Sequence, residues 1–339
     1  MTTARRQLLL TTAVLATAGC ARDDAPTSPD LAPVEATADA RAYVVRDLGT
    51  LGGHYSFAWG INRHAEVVGS SDRKDGAFRA FLWRRGTMVG LGTLGQGHGS
   101  SIALDINDAG EVVGGSSSRE GIARAFLWRE GRMTELPTPG GSSTANGINN
   151  LGQIVGYAGT SGRERPSLWQ NGGHTDLGTL GGAFGQATDI NDRGQIVGGS
   201  RVSEQSDDLH AFLWQNGVMT DLGTLGGRNS WAYAINADGE IVGASERASG
   251  EEHAVMWKGG RIIDLGPGRA LGINDEELKV GPASGGDAVP QVWRFRKAAG
   301  LPTLGRFGGS ATAINHRGQI VGSSVLRSSD EHAVLWRLE

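Results

Sequence analysis

Six hydrogen-bonding side chains recur at one offset, four residues before a tryptophan: Arg79, Arg124, Arg165, His210, His253 and His332. Val289 holds the same place before a seventh tryptophan. Guanidinium and imidazole groups donate well to anions and to hydroxyls. A ring of them on one face would suit an anionic or polyhydroxyl ligand. A role repeated in every unit can equally be structural, each donor serving carbonyls of its own repeat. Histidines one repeat apart do not converge as metal ligands must, so no metal and no cofactor is expected.

Other candidates are fewer. Asp105 and Asp189 stand where equivalent repeats carry Gly or Ala, and as a carboxylate pair they could do acid–base work. A water-bonded pair in a wet channel is the alternative. Trp59 and Trp231 are extra tryptophans, either core filling or stacking platforms for sugars. Turns such as Asn107-Asp108-Ala109-Gly110 lack the alternating acids that calcium requires. No Gly-x-Ser-x-Gly nucleophile elbow is present. No catalytic residue is assigned.

These residues sit in a repeat. Ile-Asn pairs begin at Ile61, Ile106, Ile148, Ile190, Ile235, Ile273 and Ile314, each followed by Val-Gly and then a tryptophan. The tryptophans Trp83, Trp128, Trp169, Trp214, Trp257, Trp293 and Trp336 are spaced by 45, 41, 45, 43, 36 and 43 residues. That period suits a four-stranded propeller blade. In the first blade the β-branched runs and turn residues predict strand a over 56–62, b over 66–70, c over 79–83 and d over 87–91. Alanine stands three residues before each Ile, and a small residue or Asp one before it. Alternation places both on one face of strand a, where small side chains suit the crowded axis. The variable b–c loops, such as Ser203–Leu209, share a face with the d–a connections and are expected to carry binding.

The last repeat lacks strand d, and Tyr43–Leu48 supplies an orphan strand before Gly-Thr-Leu-Gly-Gly. The expected architecture is therefore all-β: a seven-bladed β-propeller over 41–339, its last blade completed by the N-terminal strand. An open solenoid would need polar caps instead. Blade 6 is irregular, with Gly-Pro-Gly at 266–268, Glu277 at the turn glycine and Lys279 at an apolar strand position.

His-Ala-Phe-Leu-Trp at 210–214 with Asp-Leu-Gly-Thr-Leu-Gly-Gly at 221–227 resembles the HAF-type bacterial extracellular repeat family. The resemblance covers about residues 43–339. It implies an exported repeat protein and adds no chemistry, because the family carries no settled activity.

The start of the chain points the same way. Arg5-Arg6 precede an apolar run, Leu8–Ala18, too short to span a membrane. They also hint at twin-arginine export. The segment is expected to be a signal peptide over 1–19. Thr17-Ala18-Gly19-Cys20 resembles the lipobox of bacterial lipoproteins, with Thr17 a departure from the usual aliphatic residue. Cys20, the one cysteine of 339 residues, is the expected lipidation site. Residues 20–40, rich in Ala, Asp, Pro and Thr, read as a flexible linker. Ala21 after the cysteine, where no Asp stands, favours the outer membrane or cell surface.

With 55 glycines, 10 prolines and 32 basic against 36 acidic residues, the chain is turn-rich and lacks the basic footprint of a nucleic-acid binder. The expectation is a monomeric, non-catalytic scaffold or binding module, touching membrane only through its lipid. It would recognise a cell-envelope protein or polysaccharide through loops on one face. A lyase or hydrolase acting in the central channel is the first alternative, and a structural spacer the second.

Overall fold

A computed structural model describes residues 43–339 apart from 119, 284–288 and 306–307. The signal segment, Cys20 and the linker lie outside the described residues.

Seven four-stranded antiparallel sheets form the blades of a closed propeller. Blade 1 has strand a at Ser56–Ile61, b at Val67–Asp72, c at Phe78–Arg84 and d at Thr87–Gly90. The seventh sheet takes its outer strand from the start of the chain: Tyr43–Asp47 pairs with Glu331–Leu338, Tyr43 opposite Leu338 and Asp47 opposite Val334. The closure expected from the orphan strand is the closure observed.

The core is distributed. Each hydrophobic cluster belongs to two neighbouring blades; one joins Val67, Phe81 and Trp83 of blade 1 to Val321, Ala333 and Leu335 of blade 7. A sheet can bury both faces only by being sandwiched, and the ring sandwiches every blade. The strand-c tryptophans fill the outer wedge. Three of them also tie blades together, Trp169, Trp257 and Trp336 donating Nε1–H to the carbonyls of Pro137, Leu222 and Pro302 on the preceding blade.

Strand a departs from simple alternation. In six blades it carries a bulge between the conserved-type alanine and the small residue two places on, as between Ala58 and Gly60. The extra residue turns the two onto opposite faces. Ala58 packs toward blade 7, whereas a Cβ on Gly60 would meet Asp105 Cα and Leu104 O of blade 2 at 3.0 and 3.1 Å. The expected shared face is thus corrected: the second position is small because it abuts the next blade. The bulge also explains Val-Gly. A Cβ at each of the seven strand-b glycines, Gly69 through Gly322, would overlap a strand-a carbonyl such as Phe57 O or Ser310 O.

The asparagine of Ile-Asn closes the ring. Each donates Nδ2–H to the carbonyl of its counterpart in the next blade, Asn62 to Asn107 (3.1 Å), onward around the circle to Asn315, which donates back to Asn62 (3.0 Å). Its Oδ1 accepts two N–H groups of its own a–b turn, as Asn191 does from Arg193 and Gln195. This belt lies on the turn face, and so does the start of the described chain: Tyr43 donates its hydroxyl to Gly318 O in the a–b turn of blade 7. The b–c loops and d–a connections form the opposite, loop face.

Candidate functional site

The six repeated donors reach the loop end of strand c, and five of them face an acid on strand d of the same sheet. Arg124 Nε lies 3.2 Å from Glu135 Oε1, and Arg165 Nε 3.0 Å from Asp176 Oδ2. Nδ1 of His210, His253 and His332 lies 2.7, 2.7 and 3.0 Å from Asp221, Asp264 and Asp47. Arg124 also donates to Gly141 O of the next blade. Arg79 has Gly90 where the acid would stand. It turns instead to blade 2, donating to Gly97 O and Gly99 O at 2.8 and 2.6 Å. Burial lowers the pKa of its guanidinium, with Arg73 adding to the shift. Each donor is therefore engaged within the propeller. Donor and acid are kept or lost together in six of the seven blades, and Arg79 alone keeps the donor without the acid. Where Val289 replaces the donor, Gly300 replaces the acid two residues before the usual Gly or Pro.

Asp105 and Asp189 do lie deep at the axis, and each ties two blades together. Asp105 Oδ1 accepts Ile106 N–H at 2.8 Å and Oδ2 accepts Ile148 N–H of blade 3 at 2.9 Å. Asp189 does the same for Ile190 (2.7 Å) and Ile235 of blade 5 (2.9 Å). Strand a is an edge toward the axis, so its amides need such acceptors. Burial pushes Asp105 up to about 8, aided by the charge of Asp189. Burial pushes Asp189 up to about 6 against the pull of its two amides. Both oxygens of each carboxylate hold backbone, which is positioning work; no third polar side chain joins them among the described residues as a group of metal-ligating type.

The loop face is irregular at the junction of blades 4, 5 and 6. Strand a of blade 5 runs over Gly226–Ile235, ten residues where blade 1 has six. It borders a cleft lined by Asn229, Trp231, Tyr233, Glu246, Glu252 and Arg269, with Leu209 and Ala244 as apolar wall. Trp231 is 8% exposed. Its indole lies over Gly199 of blade 4, where a Cβ would collide with the ring, and it tilts against Phe184 at 6.5 Å. Trp231 is thus chiefly packing, with an edge toward the cleft. Trp59 stacks on Phe57 at 6.4 Å, and its buried Nε1–H has no partner among the described residues.

One ion pair forms in the cleft, and the second carboxylate rests on neutral donors. Arg269 Nε lies 2.5 Å from Glu252 Oε1 across the blade 5–6 boundary. Burial works against the Arg269 charge, but Tyr233 and Glu252 hold its pKa above the ordinary value. Glu246 accepts Asn229 Nδ2–H at 2.8 Å and Arg228 N–H at 3.3 Å. Burial pushes the Tyr233 phenol up to about 12, so it remains a donor. Sequence reading missed Tyr233, Glu252 and Arg269. Their signal was positional: Arg269 precedes the strand-a alanine where other blades carry Phe57, Ile102, Thr144, Gln186, Trp231 and Ser310.

No protein-family model matches this sequence, and no curated protein matches it. Solved structures of similar shape are propellers or contain them. TolB from Acinetobacter baumannii is 13% identical, with TM-score 0.51 over 76% of this chain and 67% of that one. A puromycin-hydrolyzing peptidase of Mycobacterium tuberculosis is 13% identical, with TM-score 0.52 over 85% of this chain and 52% of that one. The β-propeller domain of the Trilobed protease from Pyrococcus furiosus, of open velcro topology, is 11% identical, with TM-score 0.50 over 84% and 96%. At such identities the likeness is one of fold.

Proposed function

We propose that this chain is an exported, lipid-tethered binding module of the cell envelope, recognising a protein or polysaccharide through its loop face. One observation carries the reading. The asparagine belt runs unbroken through all seven blades of the turn face, where Tyr43 also enters, whereas on the loop face a cleft opens between blades. A tether entering at Tyr43 leaves the loop face pointing away from whatever holds it. Variable loops on a rigid scaffold are the usual seat of recognition. Catalysis in the channel draws less support, because Asp105 and Asp189 spend both oxygens on backbone amides.

The test is retention of envelope components on the Cys20→Ser chain. Scrambling the blade 4 loop 203–208 and the blade 5 turn 248–251 should abolish retention. Changing exposed turn-face residues, Leu151→Ser and Phe295→Ser, should leave it intact. Retention lost through the turn face and kept without the loops would reverse the assignment of faces. Cys20→Ser should also move the protein from the membrane to the soluble fraction, and continued lipid labelling of that variant would refute the anchor.

A further inference from the structure

The cleft on the loop face gathers a phenol, two carboxylates and a guanidinium, groups that sugar hydroxyls can use, and Arg269, the cation in its lining, is already paired. An anionic ligand would meet Arg269 already taken by Glu252 at 2.5 Å, with a second carboxylate, Glu246, held in the same lining by neutral donors, Asn229 Nδ2–H at 2.8 Å and Arg228 N–H at 3.3 Å. A carboxylate engaged on one side still offers lone pairs to hydroxyl donors. Tyr233 stands beside these groups with its ring half-buried, and its hydroxyl makes no hydrogen bond among the described residues. Phenols covered by a ligand require a partner. Trp231, 8% exposed and packed over Gly199, adds an apolar edge to one wall of the cleft. The cleft encloses about 100 Å³ and opens to solvent, room for one edge of a single ring with the rest outside.

We propose that this cleft is a subsite for one uncharged pyranose, its hydroxyls on Tyr233, Glu252 and Glu246 and its ring against Trp231. The inference rests on the loop-face reading above and deepens it. The shared chemistry is a neutral sugar, whether from a polysaccharide or from a glycan carried on a protein. Arg269 orients Glu252 as an acceptor through their ion pair.

The experiment uses the Cys20→Ser full chain on an array of neutral hexopyranosides, uronic acids and amino sugars, followed by titration of tryptophan fluorescence. Saturable binding to a neutral hexopyranoside is expected. Tyr233→Phe, which removes one hydroxyl and little volume, should weaken binding about tenfold, the effect of one ligand hydrogen bond. Glu252→Gln should act in the same direction, with melting temperature tracking fold integrity in both variants. Competition by protease-digested envelope extract separates the sources: inhibition surviving digestion indicates a polysaccharide, and inhibition lost indicates a glycoprotein. Preference for uronic acids or amino sugars, no sugar bound at all, or binding indifferent to Tyr233→Phe would each overturn the subsite. If loop scrambling still abolished envelope retention in those cases, the loop-face reading would stand and only the sugar would fall.

Discussion

Asp105 accepts amide protons from two blades while lying in a channel that disfavours its charge. Its folded pKa, about 8, exceeds the ordinary 3.8 of an aspartate, and Asp189 is raised to about 6. The folded state therefore binds more protons than the unfolded state between those limits. Stability from this pair is complete at low pH and is lost as pH rises through about 6 and then 8. Between pH 5 and 9 the melting temperature should fall. Asp105→Asn should flatten that slope, yet lower the whole curve, because Asn offers one acceptor oxygen for two amides. A slope unchanged by the substitution, measured by calorimetry, would remove Asp105 from the account. The asparagine belt gives a second residue-scale prediction. Asn191 is 6% exposed and satisfies its own turn and the link to Asn236. Asn191→Ala should cost about 2–4 kcal/mol in urea unfolding, since buried amide partners are left unmatched. The invariant Ile-Asn was plain in the sequence, but a single chain does not say that the amide reaches a neighbouring blade. That follows only once the ring has closed.

Blade 6 shows what an irregular element needs in order to survive. Glu277 takes the turn position of glycine at φ 57°, a conformation that costs a side-chain residue about 1 kcal/mol. Lys279, 1% exposed, replaces an apolar strand residue and lies 3.7 Å from Glu277. Lys258 joins Glu277 at 2.7 Å and reaches Glu240 at 2.5 Å, so the chain of charges crosses from blade 5. Burial depresses the Lys279 pKa while these acids oppose it. Leu278, standing where other blades have Glu or Gln, joins the blade 6–7 core. Glu277→Gly should therefore destabilise by about 1–2 kcal/mol despite relieving the backbone, because it strands a buried ammonium. Glu277→Gly with Lys279→Ile should recover the loss, and additive effects in that double-mutant cycle would disprove the coupling. Both departures were visible in the sequence; their mutual compensation was not, because it depends on which face of strand b looks toward blade 5. The bulge hid the geometry of strand a for the same reason, since periodicity assumes the alternation that a bulge breaks.

At the scale of the whole molecule, blade count, blade boundaries and the N-terminal closing strand were legible, because period and the missing last strand are properties of the chain alone. The cleft was not. It assembles Trp231 and Glu252 from strands a and c of blade 5 and Arg269 from the connection into strand a of blade 6, and only the docking of one blade on the next brings them together. Deleting residues 41–48 should leave strand c of blade 7 as an open edge and remove Leu48 from the blade 7–1 core. A melting temperature unaltered by that deletion would contradict the role given to this strand. The pairing of Tyr43–Asp47 with Glu331–Leu338 has one more consequence. A ribosome delivers the first strand nearly the whole chain before its partner. The ring therefore cannot lock until Glu331–Leu338 has been made, and a product cut short before it is left with a visible raw edge for proteases to find. Closure acts as an inspection of completeness, performed by the fold on its own synthesis.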